Sequence, residues 1–164
     1  MNLYLMRHAI AVEPDEFFED RERPLSEKGR RRMGKIARNL EKLDLSFDLI
    51  LTSPYLRARQ TADLVADALN IKPKHVVESE NLVPLGFTNQ LVEEINARGQ
   101  VDFLLIVGHE PFLSQLIGML VAGDASLSLG MRQGGLCRLS MEHLIYGRCA
   151  TLEWLMTPAQ LTAI

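Results

Sequence analysis

Short apolar runs that stop abruptly at a polar residue recur along this chain of 164 residues. The first run, residues 3–6, is too short for a helix without caps and too continuously apolar for a strand that faces water on one side. Strands that are buried on both faces have this pattern, and they occupy the middle of parallel sheets. We therefore predict that this run is the first, central strand of an α/β domain, with Arg7 and His8 at its carboxyl end.

Three further strands are predicted from runs rich in apolar and β-branched residues. These runs are residues 47–52, 75–78 and 103–107. Near the end of the chain, residues 136–141 and 150–156 flank a turn near Tyr146 and Gly147. We predict that these two segments form a β-hairpin that completes the sheet. The sheet is therefore expected to be mixed and mostly parallel.

Helices are predicted between the strands from apolar residues at helical spacing. They are expected to begin at Ser26, at Ser53-Pro54, near Asn89 and at Pro111. Ser53-Pro54 is the strongest of these signals, because an N-cap is followed by proline at the first helical position. The alternation of strands and helices predicts a three-layer α/β/α sandwich, with residues 1–164 forming a single domain.

The charge balance argues against nucleic acid and membrane partners. The net charge of −3 gives no general attraction to polyanions. A basic run on the first predicted helix has no aromatic residues among its members, so we predict a solvated helix face instead of a nucleic-acid site. Its members are Arg30, Arg31, Arg32, Lys35 and Arg38. The acidic segment at residues 9–22 is likewise predicted to be a solvated loop without a binding role.

No apolar run approaches the roughly 20 residues that a membrane-spanning helix needs. The start of the chain also lacks the basic, apolar and small-residue regions of a signal peptide. We therefore predict a cytoplasmic protein. Cys137 and Cys149 fall on segments predicted to be adjacent strands, which leaves a disulfide open, although plain core thiols are commoner in such a chain.

Cationic and imidazole side chains follow three of the predicted strands. Arg7 and His8 end the first strand, Arg57 lies in the first helical turn after the second, and His109 follows residues 103–107. Ligands of open α/β sheets bind at the carboxyl ends of the strands. Two guanidinium groups near a helix N-terminus suit a dianion, above all phosphate, because arginine offers paired planar donors.

The motifs of metal- and nucleotide-dependent enzymes are absent. There is no Walker A sequence, no glycine-rich dinucleotide fingerprint and no acidic cluster typical of magnesium or zinc sites. We therefore expect no metal and no cofactor. Without a metal to generate hydroxide, the reaction needs a protein nucleophile, and an imidazole is the available one. Successive helical positions differ by about 100°, so Arg57 and Arg59 cannot face one ligand equally.

Taken together, these motifs resemble those of the histidine phosphatase (phosphoglycerate mutase-like) superfamily. The matching segments are Leu5-Met6-Arg7-His8, residues 23–29, residues 53–62 and Val107-Gly108-His109. Their order, spacing and strand context agree, and together they span most of the chain. The small size and the closing Met156-Thr157-Pro158 are most similar to the SixA branch, which comprises protein phosphohistidine phosphatases of bacterial phosphorelays.

The resemblance implies a role for each candidate residue. His8 is expected to take the phosphoryl group, and Arg7, Arg57 and His109 are expected to hold its oxygens. Arg23 is a further candidate, either as a phosphate or substrate contact at the rim or as a loop residue that bridges to an acid. The implied partner is a phosphohistidine-bearing signalling protein, such as a histidine phosphotransfer domain.

The leaving group separates this hypothesis from its alternatives. Relatives that cleave phosphate esters use a carboxylic acid to protonate the alkoxide, and Glu78, Glu80 and Glu110 are candidates only by position. We predict that all three are solvated. Imidazole, with a conjugate-acid pKa of about 6.5, leaves without a strong acid. A broad small-molecule phosphomonoesterase that uses the same His8 is the first alternative, and a non-catalytic phosphoprotein-binding domain is the second.

Overall fold

A six-stranded sheet forms the centre of the computed structural model, which describes all residues from 1 to 164. The strands are β1 (Asn2–Arg7), β2 (Leu49–Thr52), β3 (Val76–Glu78), β4 (Phe103–Gly108), β5 (Leu136–Ser140) and β6 (Thr151–Met156). Their order across the sheet is β3-β2-β4-β1-β5-β6. The first four strands run parallel, and β5 and β6 form an antiparallel pair at one edge. The predicted mixed, mostly parallel sheet is confirmed.

Five α-helices pack on the two faces of this sheet. They are α1 (Glu27–Lys42), α2 (Leu56–Ala68), α3 (Thr88–Ala97), α4 (Phe112–Ala122) and α5 (Pro158–Ala163). One apolar core lies between the sheet and helices α3 and α4, and the other lies between the sheet and helices α1, α2 and α5. Alternate residues of β1 enter opposite cores, which gives the three layers. No helix in this set has the length and apolarity that crossing a membrane requires.

Helix α2 begins later than predicted, and this shift matters for the site. Its first residue is Leu56 and its N-cap is Tyr55, so Ser53 and Pro54 lie before the helix. The Ser53 hydroxyl accepts a hydrogen bond from the Tyr55 N–H at 3.3 Å and also contacts His109. The prediction that Ser53 caps this helix is therefore wrong, because its side chain is used in the turn and in the site.

The start of α1 is attached to the segment that follows β1. Ser26 is the N-cap as predicted, and its hydroxyl accepts the N–H of Gly29 at 3.0 Å. The N–H of Ser26 in turn donates to the carbonyl of Ile10 at 2.9 Å. Gly29 permits this approach, because a Cβ at its position would collide with the Ile10 carbonyl. Helix α1 is thus held against the loop that carries His8.

The closing strands pair as a hairpin, although the turn between them is not tight. Residues 141–150 form the connection between β5 and β6. Cys137 is buried on β5 opposite Leu155, whereas Cys149 lies in the connecting segment, two residues before β6 begins. The placement of Cys149 on an adjacent strand is therefore wrong. Both thiols are free.

Candidate active site

The structure brings the four predicted site residues together at the carboxyl edge of the sheet. Strands β1 and β4 are direct neighbours, and Arg7 lies opposite Gly108 in their register. His8 and His109 consequently leave the sheet side by side, with their ring centroids 5.0 Å apart. His8, His109 and Arg57 are only 6%, 2% and 4% exposed. The site is therefore a largely desolvated group of imidazoles and guanidiniums.

The hydrogen bonds of His8 assign it one neutral tautomer. Its Nδ1 lies 2.7 Å from the carbonyl oxygen of Ala9, which only accepts, so Nδ1 carries the proton. The Nε of Arg57 donates to Nε2 of His8 at 3.3 Å, which requires a free lone pair on that nitrogen. Nε2 is therefore the atom that is available to attack phosphorus.

The protonation state of His8 suits this role. Burial lowers the pKa of His8 from 6.5 to about 4, because desolvation disfavours the imidazolium ion. The hydrogen bond to Ala9 acts in the opposite direction, and the charges of Arg57, Arg7 and Arg23 lower the pKa further. At neutral pH His8 is therefore an unprotonated base.

His109 has one nitrogen in use and one without a partner. Its Nε2 is hydrogen-bonded to the Ser53 hydroxyl at 2.7 Å, whereas its Nδ1 is buried with no hydrogen-bond partner. Burial lowers the pKa of His109 to about 2, and the charges of His8 and Arg57 act in the same direction. A dianion in contact with the ring would reverse this effect by stabilising the imidazolium. We expect an oxyanion to be the partner of Nδ1.

Arg7 is held by a segment that the sequence patterns did not connect to the site. Its Nη1 donates to the carbonyl of Met131 at 2.9 Å, and its Nε is buried without a partner. The N–H of Gly134 donates to the carbonyls of Arg7 and His8 at 3.0 and 3.2 Å. Main-chain groups of Met131 and Gly134 therefore hold the Arg7 side chain and the end of β1.

Asp20 fixes the guanidinium group of Arg57. Nη1 of Arg57 donates to the main-chain carbonyl of Asp20 at 2.6 Å, and Nη2 donates to its carboxylate at 3.1 Å. With Nε directed at His8, all three nitrogens of Arg57 have partners. Burial opposes ionisation of Asp20, but hydrogen bonds from Arg23 and Arg57 outweigh it and lower the pKa of this carboxyl.

The acids of residues 9–22 are exposed, as predicted for a solvated loop, but the sequence patterns did not predict the contacts of Asp20 with the site. The segment folds back over the start of α2, which places Asp20 between two arginines. Arg23 donates to the carboxylate of Asp20 at 2.9 Å and to the carbonyl of Val12 at 2.9 Å. The structure thus shows the bridge from Arg23 to an acid, and it links Arg23 to the site through Asp20.

Tyr55 is a second site residue that sequence reasoning did not single out. The guanidinium carbons of Arg57 and Arg21 lie 5.1 and 5.8 Å from its ring centroid, within the range of cation–π attraction. Its ring also meets that of His109 edge to face, at a centroid distance of 5.1 Å. Its position between Ser53 and Arg57 in the matching motif was the one available signal.

Thr61 joins α2 to the segment after β1. Its hydroxyl accepts the N–H of Ala9 at 3.1 Å and donates to the carbonyl of Arg57 at 2.7 Å. Ala9 is the residue whose carbonyl sets the tautomer of His8. Thr61 therefore helps to fix the position of the nucleophile relative to Arg57.

The three candidate acids all have other partners. Glu78 pairs with Arg59, and Glu80 pairs with Arg21 at 2.7 Å. The carboxylate of Glu110 accepts hydrogen bonds from the N–H and the hydroxyl of Ser114 in the first turn of α4. Glu78 and Glu80 are exposed, as predicted, whereas Glu110 is half-buried. No group of three or more His, Cys, Asp or Glu side chains is arranged to hold a metal ion.

The protonation of His8 gives a direct test of this geometry by ¹⁵N nuclear magnetic resonance. We expect its ring to stay neutral, with the proton on Nδ1, from pH 7 to about 5, and to become protonated near a pKa of about 4. Tungstate should raise this pKa, because a dianion stabilises the imidazolium. The His8→Ala spectrum assigns the signals. A protonated Nε2 at neutral pH would contradict the assigned tautomer.

Comparison with known proteins gives the class to which this chain belongs. The model of the histidine phosphatase superfamily (branch 1) matches residues 3–83. An uncharacterised protein of Picosynechococcus sp. is 36% identical over 142 residues, which are 85% of this chain and 84% of that protein. The chain belongs to the histidine phosphatase superfamily, and this membership indicates a phosphatase.

Within the superfamily the similarity is to SixA. The phosphohistidine phosphatase SixA of Escherichia coli is 29% identical over 127 residues, 76% of each chain. The structure of the protein histidine phosphatase SixA complexed with tungstate superposes with a TM-score of 0.85, at 26% identity, and the match covers 98% of this chain and 99% of that one. The predicted family, SixA-like branch and fold class are thus confirmed.

Proposed function

We propose that this protein hydrolyses phosphohistidine on a phosphorelay protein, through a phosphohistidine intermediate on His8 and without a metal ion or cofactor. The observation that carries the proposal is the neutral His8 tautomer, whose Nε2 lies beside the guanidinium of Arg57. The resemblance to SixA supports the substrate class, since that relative is a phosphohistidine phosphatase. The oxyanion tungstate in the similar SixA structure supports a phosphate site.

The reaction proceeds in two displacements. In the first, the lone pair of His8 Nε2 attacks phosphorus, and the N–P bond of the substrate breaks. The electron pair returns to the substrate imidazole, which leaves as a neutral ring because its other nitrogen carries a proton. In the second, water attacks the phosphoryl group of His8, the N–P bond pair returns to Nε2, and both protons of the water leave on the released inorganic phosphate. Arg7, Arg57 and protonated His109 are proposed to stabilise the charge on the phosphoryl oxygens in both steps.

The surroundings of the site favour an imidazole leaving group. Glu78, Glu80 and Glu110 are engaged with other groups, and the lowered pKa of Asp20 keeps it ionised at neutral pH. None of these carboxyls is therefore placed as a ready acid for an alkoxide. Transfer of a phosphoryl group from one imidazole to another needs no strong acid, because imidazole is a good leaving group.

The segments beside the site favour a protein as the substrate. Phe17 lies three residues before Asp20 and is 80% exposed. Leu85 and Phe87, which are 86% and 62% exposed, follow Leu82, whose carbonyl lies close to Gly108 of β4. Large exposed apolar side chains near a polar site are typical of protein interaction surfaces.

The discriminating experiment offers the protein a phosphohistidine-loaded histidine phosphotransfer domain alongside a panel of phosphate esters. We expect release of inorganic phosphate from the loaded domain at a kcat/KM well above that for any ester, and no release by His8→Ala. Hydrolysis of the esters alone would support the small-molecule phosphomonoesterase. Tight binding of the loaded domain without hydrolysis would support a non-catalytic phosphoprotein-binding domain.

A further inference from the structure

Helix α1 has a strongly positive net charge. It contains seven basic and two acidic residues, although the whole chain has a net charge of −3. Its one ion pair joins Arg31 and Glu27 at 3.8 Å. Arg32 and Lys35 form no ion pair or hydrogen bond, and Lys28 is likewise free of both. The predicted solvated face is therefore also a concentration of positive charge, in which only Arg31 has an acidic partner.

Part of this charge lines a cavity of about 370 Å³. Arg32 contributes from α1 and Arg132 from the segment after Met131, and the start of α5 at Thr157 closes the other side. Lys28, Arg32 and Lys35 follow one another at helical spacings of four and three residues, so they lie along one side of α1. Arg132 is exposed and its side chain has no hydrogen-bond partner. Lys28, Arg32, Lys35 and Arg132 are called the basic surface below.

The basic surface borders the active site. Ile10 lines the cavity, and it comes two residues after His8 in the chain. Gln133 lines it as well, beside Gly134, whose N–H donates to the carbonyls of Arg7 and His8. Arg32 lies only about 8 Å along the axis from the start of α1, at the end of the helix that is attached to Ile10. The cavity is thus lined by residues of the same two segments that hold His8 and Arg7.

The acidic segment that contacts Arg57 through Asp20 decides which kind of molecule fits. The segment of residues 13–22 is rich in acidic residues and carries the exposed Phe17 and Phe18. A nucleic acid with a uniformly negative backbone would be repelled there, and α1 has no aromatic residue on which a base stacks. A protein surface has acidic and apolar groups in separate patches. Its acidic groups can pair with the basic surface, while its apolar groups contact Phe17 and Phe18.

We infer that the basic surface is a docking site for acidic side chains of the partner protein, close to its phosphohistidine. This inference rests on the proposed function. Carboxylates of the partner enter the cavity and pair with Arg32 and Arg132, while the phosphoryl group lies against His8. Such charge pairs at the rim of an interface mainly raise the association rate and the specificity.

The test compares Arg32→Glu/Arg132→Glu with Lys72→Glu/Lys74→Glu. The control changes the charge equally at exposed positions before β3, at the opposite edge of the sheet. The substrate is a phosphohistidine-loaded histidine phosphotransfer domain of net negative charge. We expect Arg32→Glu/Arg132→Glu to raise the KM for this domain by at least about fivefold, with kcat unchanged. Hydrolysis of phosphoramidate, which has no protein surface, should not change. Added salt should raise KM for the unsubstituted protein more than for this variant.

A binding measurement in the His8→Ala background separates the two proposals. If the protein with His8 does not hydrolyse the loaded domain, but Arg32→Glu/Arg132→Glu raises the Kd in the His8→Ala background, the docking site stands and the proposed function fails. If hydrolysis occurs and both KM and Kd are unaffected by the variant, the proposed function stands and the docking site is overturned. An equal rise in the Lys72→Glu/Lys74→Glu control, or tighter binding of a short DNA duplex than of the loaded domain, also overturns it.

Discussion

Replacement of His8 by Ala is expected to slow phosphate release by at least about 10³-fold, the scale on which loss of a nucleophile acts. The reason is that Nε2 of His8 is the unprotonated nitrogen beside Arg57. In the neighbouring His109, by contrast, Nε2 is hydrogen-bonded to the Ser53 hydroxyl. The measurement is steady-state release of phosphate from a phosphohistidine-loaded histidine phosphotransfer domain. Rapid quenching should also trap a phosphoenzyme that is labile in acid and stable in base.

His143→Ala is the matched control, because His143 is exposed and lies in the connection between β5 and β6. It should retain full activity and full labelling. Thermal unfolding followed by circular dichroism shows whether His8→Ala is folded. A folded His8→Ala protein that still forms the acid-labile, base-stable phosphoenzyme would rule out His8 as the nucleophile.

Replacement of Arg57 by Ala is expected to reduce kcat/KM by about 10²-fold or more, the usual cost of removing a charged donor from a preorganised site. Arg57 is 4% exposed, donates to His8 and holds Asp20. Arg59→Ala should change kcat/KM by less than about twofold, because Arg59 is partly exposed and pairs with Glu78.

The two arginine variants are compared with the same loaded domain, and with inorganic phosphate or tungstate as a competing ligand. Arg57→Ala should weaken inhibition by tungstate, whereas Arg59→Ala should leave it as in the unsubstituted protein. Equal losses in the two variants would show that the face of α2 assigned to the site is wrong. Arg57→Lys should retain only part of the activity, because an ammonium lacks the fork of donors that contacts His8 and Asp20 together.

Most of the architecture was predictable because its signals are local. A continuous apolar run identifies β1 and β4 as buried strands, and the stop at Arg7 or Gly108 shows where each ends. Their positions after the predicted strands then placed Arg57 and His109 with His8 at one edge of the sheet, and the family motifs implied their roles. The error at Ser53 has a definite cause: a serine followed by proline signals a helix start, but a tertiary contact with His109 uses the hydroxyl instead.

Other parts of the site depend on residues that are far apart in the chain. Asp20 lies in an acidic segment whose sequence is typical of a solvated loop, and only its contacts with Arg57 and Arg23 distinguish it from its neighbours. The carbonyl of Met131 binds Arg7 across 124 positions. A main-chain carbonyl has no sequence signature, so no pattern could have predicted this partner.

By itself, the sequence determined the succession of strands and helices along the chain, the family and the reactive groups. Apolar periodicity and side-chain chemistry are properties of short segments. The tertiary structure alone decided that Nε2 of His8 is the unprotonated nitrogen, that Asp20 holds Arg57, and that Arg132 and Arg32 line the same cavity. These features arise from hydrogen bonds and charges that act through space. They exist only once the strands have paired and distant segments have been brought within a few ångströms of each other.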